Sequence, residues 1–322
     1  MEFATFYVGS GLAPHLQACL RSWVDFGHSI DCYTYDPAVV LPPGVVRKDA
    51  SEILPSSEVY AYRTGLGKGS VSAFSNEFRY RLCQSRNVVW VDTDVLCLRP
   101  DWPSRPYHFA WQSPERLECN VAVLGAPPDS ELLVAALKNV AKIDRDTAHF
   151  GQLGPVPFTE TIRANNLEHL VAESWEFYPI SYADCRYFLD PNLLDEADQL
   201  MERSYAVHLW NEIWTRSRFP TYLRPPRGSF LERVYQRHGV TIPIEVELED
   251  VEILTFVDPM LVVSKASFDE LSEWASSMEQ ELIGVKTWAN SLNQELRRFG
   301  EQFTADPPPT WRKRIFSVFR PK

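Results

Sequence analysis

Short apolar runs alternate with longer segments of helical periodicity from the N-terminus to about residue 215. Apolar runs rich in β-branched and aromatic residues predict strands, whereas apolar residues at i, i+3 and i+4 predict amphipathic helices. Strands alternating with helices indicate an α/β protein whose mixed or parallel sheet is flanked by helices. The expected strands are 3–8, 29–35, 45–46, 88–91, 107–111, 119–124, 177–180 and 206–209, and the expected helices are 12–26, 71–83 and 129–143.

The stretch Asn87 to Pro100, NVVWVDTDVLCLRP, combines a buried-strand signal with two carboxylates. The apolar run 88–91 predicts the strand, and Asp92 and Asp94 follow at its carboxyl end, where ligands of open α/β sheets collect. Residues two apart on an extended chain share a face, and converging carboxylates repel unless a cation separates them or one is protonated. The pattern indicates a magnesium or manganese site for a diphosphate, although a turn that begins with aspartate explains it equally well.

The segment Ala73 to Pro100 resembles the core of the D-x-D sugar transferases, the group of the α-1,4-galactosyltransferases, yeast mannosyltransferases and glucosylating clostridial toxins. In that group, a helix with a polar residue and an Arg three positions apart precedes the strand and the D-x-D motif. Asn76 and Arg79 match these two positions. The group also has a late His-x-Trp element, which His208 and Trp210 match.

The resemblance implies a GT-A fold, a Rossmann-like mixed sheet flanked by helices, followed here by a helical C-terminal extension. It implies metal-dependent, retaining transfer from a nucleotide-sugar, namely a UDP-sugar, to a hydroxyl of a glycan, polysaccharide or glycolipid. It assigns Mn²⁺ or Mg²⁺ ligation to Asp92, Asp94 and His208. It assigns nucleotide-sugar binding to Tyr7, Val8, Gly9, Asn76, Arg79, Asp92 and Thr93. The chain departs from the group at two places: it has Asn76 where many members have Asp, and Arg86-Asn87 where Gly-Gly is usual. These departures bear on the identity of the donor sugar.

No residue stands out as a catalytic nucleophile, and three side chains are candidates for a catalytic role. Asn120 begins a predicted strand, and Trp210 belongs to the His-x-Trp element. Gln152 lies in the Gly- and Pro-rich segment His149–Thr159, which resembles a loop of the same group. We therefore expect this segment to be an active-site loop.

Composition narrows the class of protein. The net charge of -11 over 322 residues argues against nucleic-acid binding, because such proteins present basic surfaces. The six cysteines form no C-x-x-C pair, which favours free buried thiols in a reducing compartment. No apolar run approaches the roughly 20 residues of a spanning helix, and the N-terminus lacks a basic leader. These features predict a cytoplasmic protein.

The chain is expected to divide into a catalytic domain at 1–240, a helical extension at 241–306 and a basic tail at 307–322. Within the extension, apolar residues recur in steps of three and four over five heptads, which predicts a coiled coil and a homo-oligomer through 268–303. A helix folded back on its own domain is the alternative. The apolar positions are Phe268, Leu271, Ala275, Met278, Leu282, Val285, Ala289, Leu292, Leu296, Phe299 and Phe303.

The last segment, TWRKRIFSVFRPK, contains five basic residues and no acidic residue. Its apolar residues share one helical face: Trp311, Ile315, Val318 and Phe319. Basic amphipathic helices bind anionic membranes, so the tail predicts peripheral contact with the inner face of the membrane. A disordered tail explains the same composition.

Two other functional classes fit the D-x-D motif. A haloacid-dehalogenase-like phosphatase also begins from a strand and D-x-D, with the first Asp as nucleophile. Its motif usually lies near the N-terminus, unlike Asp92. A non-catalytic scaffold with a glycosyltransferase-like fold is the other alternative, in which the heptad seam and the tail carry the function.

Overall fold

Eight strands form two sheets within the residues that the computed structural model describes, 1–63, 68–148, 152–216 and 221–242. The larger sheet has the order β3-β2-β1-β4-β7-β6, with the first four strands parallel and β7 and β6 antiparallel to their neighbours. The smaller sheet pairs β5 with β8 in antiparallel register. The strands are β1 (Glu2–Phe6), β2 (Ser29–Thr34), β3 (Val46–Asp49), β4 (Val89–Val91), β5 (Val95–Cys97), β6 (His108–Trp111), β7 (Cys119–Gly125) and β8 (Ala206–His208).

Helices connect the strands and cover the sheet, and some of them begin with residues that suit a helix N-terminus. Pro14 begins α1, a position where a missing N–H leaves no hydrogen bond unmade. The Ser130 hydroxyl accepts the N–H of Leu133 at the start of α3, and the Ser229 hydroxyl accepts that of Glu232 at the start of α7. The helices are α1 (Pro14–Asp25), α2 (Ser72–Ser85), α3 (Glu131–Val140), α4 (Pro155–Ala164), α5 (Leu194–Met201), α6 (Asn211–Arg216) and α7 (Phe230–Arg237).

The hydrophobic core consists of two clusters on opposite faces of the larger sheet. Side chains of a strand alternate between faces, so Phe3 joins one cluster and Ala4 the other, and likewise Val91 and Trp90. The first cluster contains residues of α1, α5 and α7, and the second contains residues of α2, α3 and α4. The predicted mixed sheet flanked by helices is therefore confirmed.

Two predictions of local structure are wrong. The apolar run Phe177–Ile180 forms no strand; it follows a 3₁₀ turn at Ser174–Glu176, and the N–H of Tyr178 donates to the carbonyl of Ser174. Its apolar character reflects burial of Phe177 and Ile180, not extended pairing. The segment His149–Thr159 is not a loop throughout, because α4 begins at Pro155, a residue suited to the first turn of a helix.

The C-terminal predictions lie outside the described residues. These are the helical extension beyond residue 242, the seam at 268–303 and the basic tail at 307–322. The chain divides into two compact units, Met1–Val262 and Val263–Lys322. Among the described residues, no helix has the length and apolar character that crossing a membrane requires. All six cysteines are buried and free, as predicted.

Candidate active site at the carboxyl ends of β1 and β4

Three strands of the larger sheet meet at one edge beside the D-x-D motif. Strands β1 and β4 are parallel, with Ala4 beside Trp90, so the residues after both strands lie at the same edge. Strand β7 runs antiparallel to β4 and begins at this edge, where the N–H of Asp92 donates to the carbonyl of Ala122. The D-x-D motif therefore occupies the edge where open α/β sheets bind ligands.

A tight turn, not an extended chain, brings the two carboxylates together. Strand β4 ends at Val91, and the N–H of Val95 donates to the carbonyl of Asp92 at 3.0 Å. Strand β5 then begins and pairs with β8, which places Val95 opposite His208. Ligand atoms of Asp92, Asp94 and His208 consequently lie within 4.8 Å of one another. Among the described residues this is the one group of three metal-ligating side chains.

Asp92 is held by a guanidinium and an indole. Arg79 Nη2 donates to Asp92 Oδ1 at 2.6 Å, and Trp90 Nε1 donates to the same oxygen at 2.7 Å. Arg79 Nη1 also donates to the carbonyl of Val121 at 2.6 Å, so the guanidinium joins β4 to β7. Burial raises the pKa of the Asp92 carboxyl, and the charge of Arg79 opposes this rise.

Asp94 has a different set of donors. His208 Nε2 donates to Asp94 Oδ2 at 3.0 Å, and the N–H of Asn211 donates to the same oxygen at 2.7 Å. Burial alone would raise the pKa of Asp94, but the interactions with His208 and Asn211 outweigh it and lower the pKa to about 2. Each aspartate thus has its own protein partner, so the proximity of two carboxylates does not by itself require a cation.

The donor set nevertheless suits a divalent ion. Carboxylate oxygen and imidazole nitrogen are ligands that Mn²⁺ accepts, and metal–ligand distances of about 2.1 Å place neighbouring ligand atoms about 3 Å apart. The 3.0 Å between His208 Nε2 and Asp94 Oδ2 matches that spacing. His208 Nδ1 is buried and has no hydrogen-bond partner among the described residues. These three residues could hold one ion while leaving further coordination positions for a ligand.

The residues around His208 include partners that sequence reasoning missed. Asn211 comes directly after the His-x-Trp element, and this position could have marked it as a site residue. The sequence around His15 contains no comparable signal. His15 Nε2 donates to Asn211 Oδ1 at 2.7 Å, and burial lowers the pKa of His15 to about 4. The imidazole is therefore neutral near pH 7, and it orients the residue whose N–H binds Asp94.

The predicted nucleotide-sugar residues lie on three elements. Tyr7, Val8 and Gly9 follow β1 at the same edge as the D-x-D motif, and the Tyr7 hydroxyl donates to the carbonyl of Gly11 at 2.5 Å. Thr93 is half-buried in the turn between the two aspartates. Asn76 is buried on α2, one turn before Arg79. Gly154 lies close to it, since a Cβ added at Gly154 would be 3.4 Å from the Asn76 amide nitrogen.

The three catalytic candidates have different surroundings. The Asn120 amide is engaged within the sheet, since Nδ2 donates to Gln112 and Oδ1 accepts the N–H of Ala122. Gln152 is half-buried shortly before α4. Trp210 has a left-handed backbone, φ 58°, which is uncommon for a bulky residue and clusters at functional sites. Its ring lies 4.1 Å from that of His208.

One protein-family model matches part of the chain. The sequence model described as alpha 1,4-glycosyltransferase conserved region matches residues 151–241, which include His208 and Trp210 but not the D-x-D motif. No curated protein matches the chain. The D-x-D motif lies outside the matched region but is brought within ligand distance of the matched His208 by the pairing of β5 with β8. With the α/β fold and this Asp-Asp-His group, the match identifies the chain as a glycosyltransferase that carries the alpha-1,4-glycosyltransferase conserved region.

Proposed function

We propose that the protein transfers a sugar from a nucleotide-sugar, specifically a UDP-sugar, to a hydroxyl of a glycan, polysaccharide or glycolipid, with a divalent ion at the Asp-Asp-His group. The observation that supports it most is the convergence of Asp92, Asp94 and His208 within 4.8 Å at the ligand-binding edge of the sheet. A bound Mn²⁺ or Mg²⁺ would stabilise the charge that develops on the leaving diphosphate.

The side chains divide the remaining tasks. Asp94 and His208 would bind the ion directly, and Asp92 would contact the ion together with the ribose or sugar of the donor. Arg79 keeps the Asp92 carboxylate in a fixed orientation through its contact at 2.6 Å. Asn76 and Thr93 would contact the sugar, and Tyr7, Val8 and Gly9 would line the uridine pocket.

The transfer is proposed to retain the configuration of the sugar. The acceptor hydroxyl oxygen bonds to the anomeric carbon, the bond from that carbon to the diphosphate oxygen breaks, and the hydroxyl proton passes to the departing diphosphate. No described side chain is required as a covalent nucleophile in this scheme. The resemblance to the retaining D-x-D transferases is the basis for this stereochemistry.

Calorimetric titration with UDP- and GDP-sugars, with and without Mn²⁺, tests the proposal. One UDP-sugar should bind only when the ion is present. Asp94→Asn and His208→Gln should weaken Mn²⁺ binding and lower turnover about 100-fold or more, because the ion offsets several kcal/mol of leaving-group charge. Asp129→Asn, an exposed aspartate on another part of the chain, is the matched control.

The outcomes separate this function from its alternatives. Equal donor binding with and without Mn²⁺, or full turnover by folded Asp94→Asn, would contradict the metal site. Release of phosphate from a simple phosphoester would favour the phosphatase, and no structural observation favours it. We further propose a cytoplasmic location, with which six free buried cysteines agree.

A further inference from the structure

A cleft lies outside the Asp-Asp-His group, and none of the residues proposed to bind the donor lines it. Its volume is about 760 Å³, within the usual range of ligand pockets. One wall is the connection between β6 and β7, residues 112–118, and the other is the segment 174–187, with Leu200 at the margin. We call it the lateral cleft.

The wall of the lateral cleft that residues 174–187 form is anchored to the His-x-Trp element. Trp210 Nε1 donates to the carbonyl of Ile180 at 2.9 Å, and the rings of Tyr182 and Trp210 lie 5.9 Å apart. The Trp210 ring in turn contacts His208 at 4.1 Å between centroids. Tyr178, in the same wall, lies directly beside His208, with 6.1 Å between the ring centroids. One ring contact therefore joins the cleft wall to the Asp-Asp-His group.

The opposite wall is anchored to the strand beside the D-x-D motif. The side-chain carbonyl of Gln112 accepts a hydrogen bond from Asn120 Nδ2 at 2.8 Å. Asn120 lies on β7, two residues before Ala122, whose carbonyl accepts the N–H of Asp92 at 2.7 Å. Both walls thus contact elements that build the site, which puts the cleft next to the Asp-Asp-His group.

The lining exposes apolar and aromatic surface to solvent. Tyr182 is 48% exposed, Leu117 68% and Leu200 45%, although large apolar side chains are mostly buried in this fold. Trp175 and Tyr187 are half-buried in the same lining. Exposed apolar patches of this kind mark ligand grooves, and an aromatic ring with a polar tip suits the mixed C–H and hydroxyl surface of a sugar.

The charge of the lining is of one sign. Glu115, Glu118 and Asp184 face the cleft, and none of its lining residues is Lys, Arg or His. Carboxylates accept hydrogen bonds from sugar hydroxyls and pair with ammonium groups. They repel phosphate, sulfate and carboxylate groups, an effect that grows as water is excluded. Arg203 and Arg186 pack on the lining rings of Trp175 and Tyr187 at 4.4 and 5.8 Å, but neither arginine lines the cleft. The lining itself therefore disfavours anionic ligands.

We propose that the lateral cleft is the acceptor subsite and that it takes an uncharged or amino-bearing sugar chain. This inference rests on the proposed function for the role of the ligand but not for its binding. Tyr182 supplies the face on which a sugar ring packs, and Glu118 and Asp184 accept hydrogen bonds from its hydroxyl or ammonium groups. Sialylated, sulfated and phosphorylated chains are excluded by the three carboxylates.

The test uses the full-length protein on an array of immobilised glycans that includes neutral, glucosamine-terminated, sialylated, sulfated and phosphorylated chains, with UDP and Mn²⁺ present. Wild-type protein should be retained by members of the neutral or amino-bearing sets and not by the anionic sets. Tyr182→Ala should weaken retention at least tenfold. Glu118→Lys should shift retention toward anionic chains. The matched controls are Tyr222→Ala, at a tyrosine elsewhere that is 55% exposed, and Glu160→Lys, at an exposed glutamate.

Several outcomes would overturn the acceptor subsite. These are preference of the wild type for anionic glycans, retention by no glycan, or unchanged retention and selectivity in folded Tyr182→Ala and Glu118→Lys. Melting curves show whether each variant is folded. If Tyr182→Ala does not fold, the result for Glu118→Lys alone decides whether the cleft is the acceptor subsite. Failure of the proposed function looks different, because UDP-sugar would then not bind in calorimetry while neutral glycans still bind and still depend on Tyr182.

Discussion

At the scale of single residues, the two aspartates of the D-x-D motif differ in their neighbours. Asp92 is paired with the fixed charge of Arg79, whereas Asp94 depends on His208 and a backbone N–H. Arg79 is 4% exposed, and its guanidinium contacts Asp92 and a carbonyl of β7. Its evident role is to hold a carboxylate in place, which adds to the sugar contact that the sequence predicted.

Replacing Arg79 with lysine tests this positioning role. Lysine keeps the charge but cannot donate to Asp92 and the Val121 carbonyl in the geometry of the guanidinium. We expect Arg79→Lys to weaken Mn²⁺ binding and to lower turnover at least tenfold, measured by calorimetry and steady-state kinetics. Arg81→Lys, on the same helix and 44% exposed, should leave both unchanged. Unchanged Mn²⁺ affinity in Arg79→Lys would remove this role.

A buried histidine outside the site predicts a pH dependence of stability. Trp102 Nε1 donates to His108 Nδ1 at 3.1 Å, and burial, aided by Arg105, lowers the pKa of His108 to about 4. The unfolded chain, with a pKa near 6.5, binds a proton before the folded chain does. The free energy of unfolding should therefore fall as pH falls from about 6.5 toward 4.

The contribution of His108 can be isolated by substitution. By pH 5, His108 should have lowered the free energy of unfolding by on the order of 1–2 kcal/mol relative to pH 7. His108→Asn keeps an acceptor near Trp102 but does not titrate, so its urea-unfolding free energy should change less between pH 7 and pH 5. His169→Asn, an exposed histidine, should follow the wild type. Parallel pH profiles for wild type and His108→Asn would contradict the assignment.

At the scale of elements, close packing of β7 on its neighbours requires glycine at one position. A Cβ added at Gly125 would lie 2.9 Å from His108 Cδ2 and 3.1 Å from Val89 Cγ2, so the buried side chain of His108 on β6 would have to shift. Carbonyls of that same strand accept the hydrogen bonds from the Asp92 N–H and from Arg79. Packing at one end of β7 thus supports the site at the other end.

Gly125→Ala should lower the free energy of unfolding by about 1–3 kcal/mol, the usual effect of an extra methyl group in a filled space. Gly11→Ala is the matched control, since a Cβ there meets no atom within 4 Å. Urea denaturation of both variants is the measurement. Equal midpoints would show that His108 and Val89 accommodate the methyl group without strain.

At the scale of the whole molecule, the described site and both hydrophobic clusters lie within the unit Met1–Val262. We expect a chain ending at Val262 to unfold cooperatively and to bind UDP-sugar with Mn²⁺ as the full-length protein does. Melting curves and calorimetry are the measurements. An unfolded or inactive 1–262 chain would show that the second unit contributes to the catalytic fold.

The same truncation tests the predicted oligomer, because it removes the seam at 268–303. Full-length protein should scatter light as an oligomer at micromolar concentration, and the 1–262 chain as a monomer. A monomeric full-length protein would mean that the seam packs within its own chain. The membrane contact of 307–322 likewise remains a prediction, to be tested by flotation with anionic vesicles.

The sequence by itself determined the elements and the chemistry that depend on neighbours along the chain. The pattern within Ala73–Pro100 predicted strand β4, the helix α2 before it and the role of the two aspartates after it. His208 and Trp210 followed from resemblance, which is again a local pattern. The apolar run at Phe177–Ile180 led to a wrong prediction, because these residues are buried without pairing as a strand.

Only the tertiary structure decided which side chains meet across the fold. His15 and Asn211 lie 196 positions apart and Asp94 and His208 lie 114 apart, yet each pair is joined by a hydrogen bond. Such pairs leave no periodic signal, because their spacing is set by the pairing of β5 with β8 and by packing of α1 on the same face. The lateral cleft arises in the same way, from two segments that the chain brings together only when folded.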